Sequence, residues 1–249
     1  MSISAFGGGG ARFSRVAPTQ QLVEAFVDLF TLGTPRYGAG AFIHSGKLYV
    51  VGGFSESGIT TVIESIDLST GDREYPNYLP EPRAHFAHGY IDGKFYVIGG
   101  VGSDSVPKPD IYEYDVGANT IAKKSASLPK GVAYCASVVL NGKIYIIGGI
   151  DENGNILADT YEYDPSSDTV TQRASMNVAR QNLACAELGG YIYCFGGDDG
   201  SARLDVVERY DPSTDTWEQL TIRLPQALSG IAAVEISLAG KEYIMVLGG

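Results

Sequence analysis

The sequence predicts an all-β protein: a β-propeller of about five four-stranded blades, its ring closed by N- and C-terminal strands. Three observations predict it. First, glycine pairs end five apolar runs, KLYVVGG, KFYVIGG, KIYIIGG, YIYCFGG and EYIMVLGG, whose last residues are Gly53, Gly100, Gly149, Gly197 and Gly249. Second, those glycines lie 47, 49, 48 and 52 residues apart, and a repeat of roughly 50 residues marks a propeller or a similar array. Third, every repeat carries the same local grammar of strands and turns, and no segment has convincing helical periodicity.

The grammar can be justified element by element. A turn ending in glycine precedes each apolar run: Ser45-Gly46, Asp92-Gly93, Asn141-Gly142, Gly189-Gly190 and, more weakly, Ala239-Gly240. Such pairs suit a two-residue hairpin, whose central residues both need positive φ. Strands of small and apolar residues, such as Gly38–His44 and Ala184–Leu188, lead into the turns. After the glycine pair comes a polar loop and a third strand, VIESID, IYEYD, TYEYD or VERYD, ending at Asp67, Asp115, Asp164 and Asp211. A fourth, weaker strand starts near Arg73, Ile121, Val170 and Trp217. One such meander cannot bury both faces, whereas a radial array covers each sheet with its neighbours. The repeats fall at about 35–81, 82–129, 130–178, 179–224 and 225–249, in a single domain over 1–249. The last repeat stops after two strands. Val23–Asp28, VEAFVD, looks like VERYD, so residues 1–34 are expected to supply a leader and the closing strands. Gln20–Phe30 is the only helical candidate, and the repeat logic favours strand there.

Composition limits the function. With 18 Lys+Arg against 29 Asp+Glu the net charge is −11, which disfavours nucleic acid and anionic membranes as partners. No apolar run is long enough to span a membrane, and the N-terminus lacks a signal-peptide pattern. A cytoplasmic monomer with reduced thiols is expected. The three cysteines cannot form a disulfide framework. A hairpin about Gly189-Gly190 sets Cys185 opposite Cys194, and a reducing compartment predicts thiols there too.

Chemical motifs are sparse. His85 and His88 are three apart on a strand, facing opposite ways, and His44 lies in another repeat, so no metal centre is expected. Asp151, Asn153, Asn155, Asp159 and Glu162 imitate a calcium loop, but the glycine is misplaced and no helix flanks it. A turn between strands is the better assignment. Gly7–Gly10 lacks the strand, helix and Gly-Lys-Ser/Thr of a phosphate loop. No catalytic constellation and no cofactor site is found.

The pattern PR…GK-[LFI]-Y-[VI]-[VI]-GG…E-x-Y-D-P…W resembles the Kelch repeat. Its fullest copy is Ala179–Leu220, with Arg180, Gly196, Gly197, Glu208, Tyr210, Asp211, Pro212 and Trp217. The resemblance covers roughly residues 35–249; it departs from the pattern where Trp is missing from three connections and where Ile66-Asp67 replaces Tyr-Asp. It implies a non-enzymatic module that binds a protein or peptide partner at one mouth of the central channel. In register there are Arg36, Arg83 and Arg180, with Val132 and Gly230 in the other two repeats. Two residues further on are Gly38, His85, Tyr134, Asn182 and Ala232. The arginines either pair with loop carboxylates or form a basic ring that captures an acidic ligand. The expected binding set is therefore Arg36, Arg83, His85, Tyr134, Arg180 and Asn182. The alternative that the resemblance leaves is a cofactor-independent sugar mutarotase or epimerase acting on an anionic sugar.

Overall fold

The computed structural model describes residues 31–249, and all of its regular structure is β. Four antiparallel meanders form blades I to IV. Blade I is Gly40–His44, Lys47–Val51, Val62–Asp67 and Arg73–Tyr78; blade II is Ala87–Ile91, Lys94–Ile98, Asp110–Asp115 and Thr120–Ser127. Blade III is Ala136–Leu140, Lys143–Ile147, Thr160–Asp164 and Thr169–Arg173; blade IV is Ala184–Leu188, Tyr191–Phe195, Leu204–Asp211 and Thr216–Leu228. Among the described residues blade V has two strands, Ile231–Leu238 and Lys241–Gly248. The closing strand expected at Val23–Asp28, and the helical candidate at Gln20–Phe30, lie outside the described residues.

All five hairpins form as their turn residues require. Ser45, Asp92, Asn141, Gly189 and Ala239 sit at φ between 47° and 62°, each followed by a glycine that is also at positive φ. This is the mirror-image turn whose twist matches that of the strands.

The core lies between the blades rather than within them. Three apolar clusters fill the I–II, II–III and III–IV interfaces, with Phe95, Ile98, Ile144 and Tyr163 among their fully buried members. Each such side chain contributes about 1.5–3 kcal/mol. One aromatic contact recurs at these three interfaces. The tyrosine of the second strand meets the tyrosine of the next blade's third strand: Tyr49 with Tyr114, Tyr96 with Tyr163, and Tyr145 with Tyr210, at 6.5, 5.7 and 5.8 Å.

The hydroxyls of those third-strand tyrosines explain the acidic turns that follow them. Tyr163 Oη donates to Asp168 and Tyr210 Oη to Asp215, at 3.0 and 2.6 Å. The same aspartates then accept a backbone N–H from the preceding blade, Ser125 N and Ala174 N respectively. In blade II, Asn119 plays this part, accepting from Tyr114 and donating to Pro76 O. The single tryptophan strengthens the III–IV stitch, with Trp217 Nε1 donating to Ala174 O at 2.9 Å. The tyrosine bond and the Ala174 amide together hold the Asp215 carboxyl below its ordinary range.

One expectation is overturned. Cys185 and Cys194 are joined in a disulfide rather than left as thiols. The hairpin register places them directly opposite, with Cα atoms 4.1 Å apart. Counting outward from the turn, they occupy a non-hydrogen-bonded pair, where strands approach most closely. Proximity therefore outweighs the compartment argument. The third cysteine, Cys135, is free, and burial pushes its thiol up to about 12.

Two measurements check this architecture. Asp215→Ala is expected to lower unfolding free energy by about 2 kcal/mol, the scale for hydrogen bonds to a charged group, while Glu56→Ala on an exposed turn changes it little. Intact mass without reductant should be lower by one hydrogen pair, with the link mapping to Cys185 and Cys194; two free thiols there would contradict the disulfide.

Candidate functional site

The inner strands of all five blades begin around one central cavity of about 180 Å³. Its lining takes two consecutive residues from each blade: Gly38 and Ala39, His85 and Phe86, Tyr134 and Cys135, Asn182 and Leu183, Gly230 and Ile231. Gly230, not Ala232, completes the register, because the long last strand of blade IV brings Leu228 into the position aligned with the arginines.

The glycine pairs build this mouth. The second glycine of each pair donates its N–H to the next blade's residue in the arginine register. The bonds are Gly53 to Arg83 O, Gly100 to Val132 O, Gly149 to Arg180 O and Gly197 to Leu228 O, at 2.8, 2.7, 2.9 and 2.8 Å. The first glycine makes room for that carbonyl: a methyl group on Gly52 or Gly148 would lie 2.5 Å from the oxygen of Arg83 or Arg180. Two residues later a second set of backbone bonds runs around the cavity. His85 N donates to Gly38 O, Tyr134 N to His85 O, Asn182 N to Tyr134 O and Gly230 N to Asn182 O, at 2.7, 3.0, 2.8 and 2.8 Å. All five residues of this relay have φ between 52° and 65°.

The relay displays His85, Tyr134 and Asn182 together, as the sequence expects. The His85 and Tyr134 rings stack at 4.3 Å. His85 in turn lies over Gly38, where a methyl group would sit 2.7 Å from the imidazole. Tyr37, 58% exposed, extends the aromatic surface, with its ring 5.6 Å from His85 and 5.4 Å from Phe54. On the other side, Asn182 Nδ2 and Gln181 Nε2 donate to the two oxygens of Asp198. Tyr37, Phe54 and Asp198 escape sequence reasoning. They reach the mouth through short pairings between the residue after each arginine position and the residue after each glycine pair, Tyr37 with Phe54 and Gln181 with Asp198.

The arginines do not join them. The side chains of Arg36, Arg83 and Arg180 are 0, 1 and 0% exposed, turned into their blades. The expected basic ring for an acidic ligand is therefore corrected. Arg36 pairs with the fully buried Glu64 and Arg180 with the fully buried Glu208, and each also donates to two backbone carbonyls. Arg83 lies over the Tyr112 ring and pairs with Glu81 and Asp110. Burial pulls the Arg180 guanidinium down to about 10, against the opposing pull of Glu208. A buried carboxylate opposite a register position takes its arginine inward, since the two charges can leave water only together. Tyrosine stands in that third-strand place in the other two blades: Tyr112 under Arg83, which takes Glu81 and Asp110 as its carboxylates, and Tyr161 at Val132, where the arginine is missing.

His88 lies in the inner strand, away from the cavity lining, so the two histidines do not converge. Asp151 organises the blade III loop by accepting Asn153 N and Asn155 N, which makes the imitation calcium loop a turn. Among the described residues, no group of three or more His, Cys, Asp or Glu is placed to hold a metal ion.

Four-stranded blades repeated about a central mouth are the architecture of a repeat-built β-propeller. A family model described as the KLHDC2/KLHL20/DRC7 Kelch-repeats domain matches residues 30–174, and one for the Kelch motif matches residues 179–222. The chain belongs to the Kelch-repeat family. Kelch-like protein 35 of Mus musculus is 39% identical over 72 residues, which is 29% of this chain and 12% of that protein. The N-acetylneuraminate epimerase of Yersinia enterocolitica is 36% identical over 77 residues, 28% of this chain and 19% of that enzyme. The matched stretches thus span under one fifth of these curated relatives. Among solved structures, that titled "Structure of YjhT" superposes with a TM-score of 0.69 at 20% identity, covering 81% of this chain and 70% of that one.

Two predictions follow from the buried charges and the histidines. Arg180→Ala leaves Glu208 buried without its cation and is expected to destabilise by about 3–5 kcal/mol; a melt within a degree of wild type would contradict the buried pairing. Burial holds His85 and His88 below the ordinary histidine value of 6.5. The unfolded chain therefore binds more protons near that pH, and stability present above it is lost as pH falls through it. Chemical denaturation at about pH 7.5 and 5.5 should show the loss, and His88→Gln should reduce it.

Proposed function

We propose that the chain is a non-enzymatic, protein-binding propeller that takes a peptide segment of its partner at the central mouth. One observation carries the reading. Blades I and V place glycine in the relay, where positive φ costs nothing, but blades II, III and IV place His85, Tyr134 and Asn182 there. A bulky residue in that region costs on the order of 1–3 kcal/mol, and tyrosine least belongs in it. All three side chains line the cavity. Strain at Tyr134, with His85 and Asn182 held in the same conformation on either side of it at one opening, supports a recognition surface.

The alternative is a small-molecule enzyme acting on an anionic sugar, favoured by the similarity to an N-acetylneuraminate epimerase. Cavity size argues against it. About 180 Å³ is below the roughly 300–1,000 Å³ typical of small-molecule sites and nearer the room one side chain needs. The loss of the exposed arginine ring removes the charge that would have held a sugar carboxylate.

The glycine precedent supplies the test. Tyr134→Gly relieves backbone strain while losing the His85 stack, about 0.5–1.5 kcal/mol, so the melting temperature should stay within about 4 °C. Partners captured by the wild-type chain should be lost from Tyr134→Gly and from His85→Gly. Capture unchanged by both variants would place the interface elsewhere. Turnover of N-acetylneuraminate, followed by NMR, would favour the enzyme instead.

A further inference from the structure

The aromatic residues of the mouth have one carboxylate near them, Asp198, hydrogen-bonded to the lining residue Asn182. His85, Tyr134 and Tyr37 provide the rings from blades I to III. Asp198 stands beside Asn182 with both oxygens directed by donors: Gln181 Nε2 and Gly200 N on Oδ1, Asn182 Nδ2 on Oδ2. An ionised carboxylate has about four acceptor sites, so one remains for a further donor. Among the described residues, Asp198 has no Lys or Arg within ion-pair distance.

The surrounding loops have the same sign. Asp199 follows Asp198 on the blade IV loop, and Asp151 and Glu152 lie on the corresponding loop of blade III; Arg203 pairs with Asp198 across its loop through the backbone. Lys130, the nearest lysine of blade III, is held by Asp159 at 2.9 Å. The three register arginines contribute no free positive charge, because Glu64, Glu208 and the Glu81–Asp110 pair neutralise them inside the blades. A net charge of −11 adds a long-range field that draws in basic partners and repels acidic ones.

Resting on the peptide-binding reading above, we infer that the group taken into the mouth is a lysine or arginine side chain of a basic peptide segment. It lies against the His85–Tyr134 stack with its charge toward Asp198. With His85 covered by Gly38 on one side and Tyr134 on the other, it is the Tyr134 ring that attracts the cation through its quadrupole, and Asp198 supplies the counter-charge and the open acceptor site. Arginine has the advantage, since its planar head can stack and donate at once.

Fluorescence anisotropy with two labelled peptide pools tests this. The pools share a glycine–serine background and differ in carrying lysine and arginine, or aspartate and glutamate, at randomised positions. The full chain should bind the basic pool and not the acidic one. Asp198→Asn should weaken binding about tenfold, equivalent to about 1.4 kcal/mol, and Tyr134→Gly should weaken it similarly with its melting temperature retained. Preference for the acidic pool, lost in Tyr134→Gly, would overturn the cation while leaving the mouth as a peptide site. Basic-pool binding that neither variant changes would overturn it as mere attraction to the net charge. Binding of neither pool would also overturn it, and the peptide reading would then stand or fall on the capture experiment with the two glycine variants.

Discussion

The fold depends on one close approach, that of a glycine pair to the carbonyl of the following blade. Four of the five pairs, those of blades I to IV, end a second strand, bend the chain through positive φ, and offer an N–H where no side chain blocks the way. A Cβ on the first glycine would push the neighbouring carbonyl away, and with it the whole inner strand of the next blade. The spacing between blades is thus fixed near the centre. The aromatic contacts farther out, and the tyrosine–aspartate stitches near the rim, fill a wedge whose apex is already set.

That apex also determines what is buried and what is displayed. The residue whose carbonyl meets the glycine sends its side chain into the blade. Two residues later the backbone turns left-handed and presents a side chain at the mouth. An arginine and a histidine two positions apart, as in Arg83 and His85, therefore have opposite fates. The first joins the electrostatic interior and the second faces whatever binds.

Much of this was legible in the sequence. The glycine pairs, hairpin turns and E-x-Y-D strands identified four blades and half of another, and the register found His85, Tyr134 and Asn182. The direction of the arginines was not legible from the PR motif alone, because it depends on a carboxylate in the third strand. Arg36 and Glu64 are 28 residues apart, as are Arg180 and Glu208, whereas Val132 has Tyr161 in the corresponding place. Reading both strands together turns Arg36 and Arg180 inward, whereas Arg83 has Tyr112 in that place and takes Glu81 and Asp110 instead. Asp198 was hidden differently, since a polar loop has no periodicity to say where its side chains come to rest. The cysteine register was readable; the bond was missed because general chemistry of a compartment was set above a specific 4.1 Å approach.

The backbone relay around the cavity has one more consequence. Its peptide units point from blade to blade, tangentially, so their dipoles circulate about the mouth and largely cancel along the axis. At a helix terminus, by contrast, aligned peptides impose a fixed polarity on any bound group. Here the scaffold is electrically almost silent toward the ligand, and the sign of the opening is written by a few interchangeable side chains. The same run of four hydrogen bonds could host an acidic or a basic mouth, so architecture and selectivity can diverge independently in such proteins.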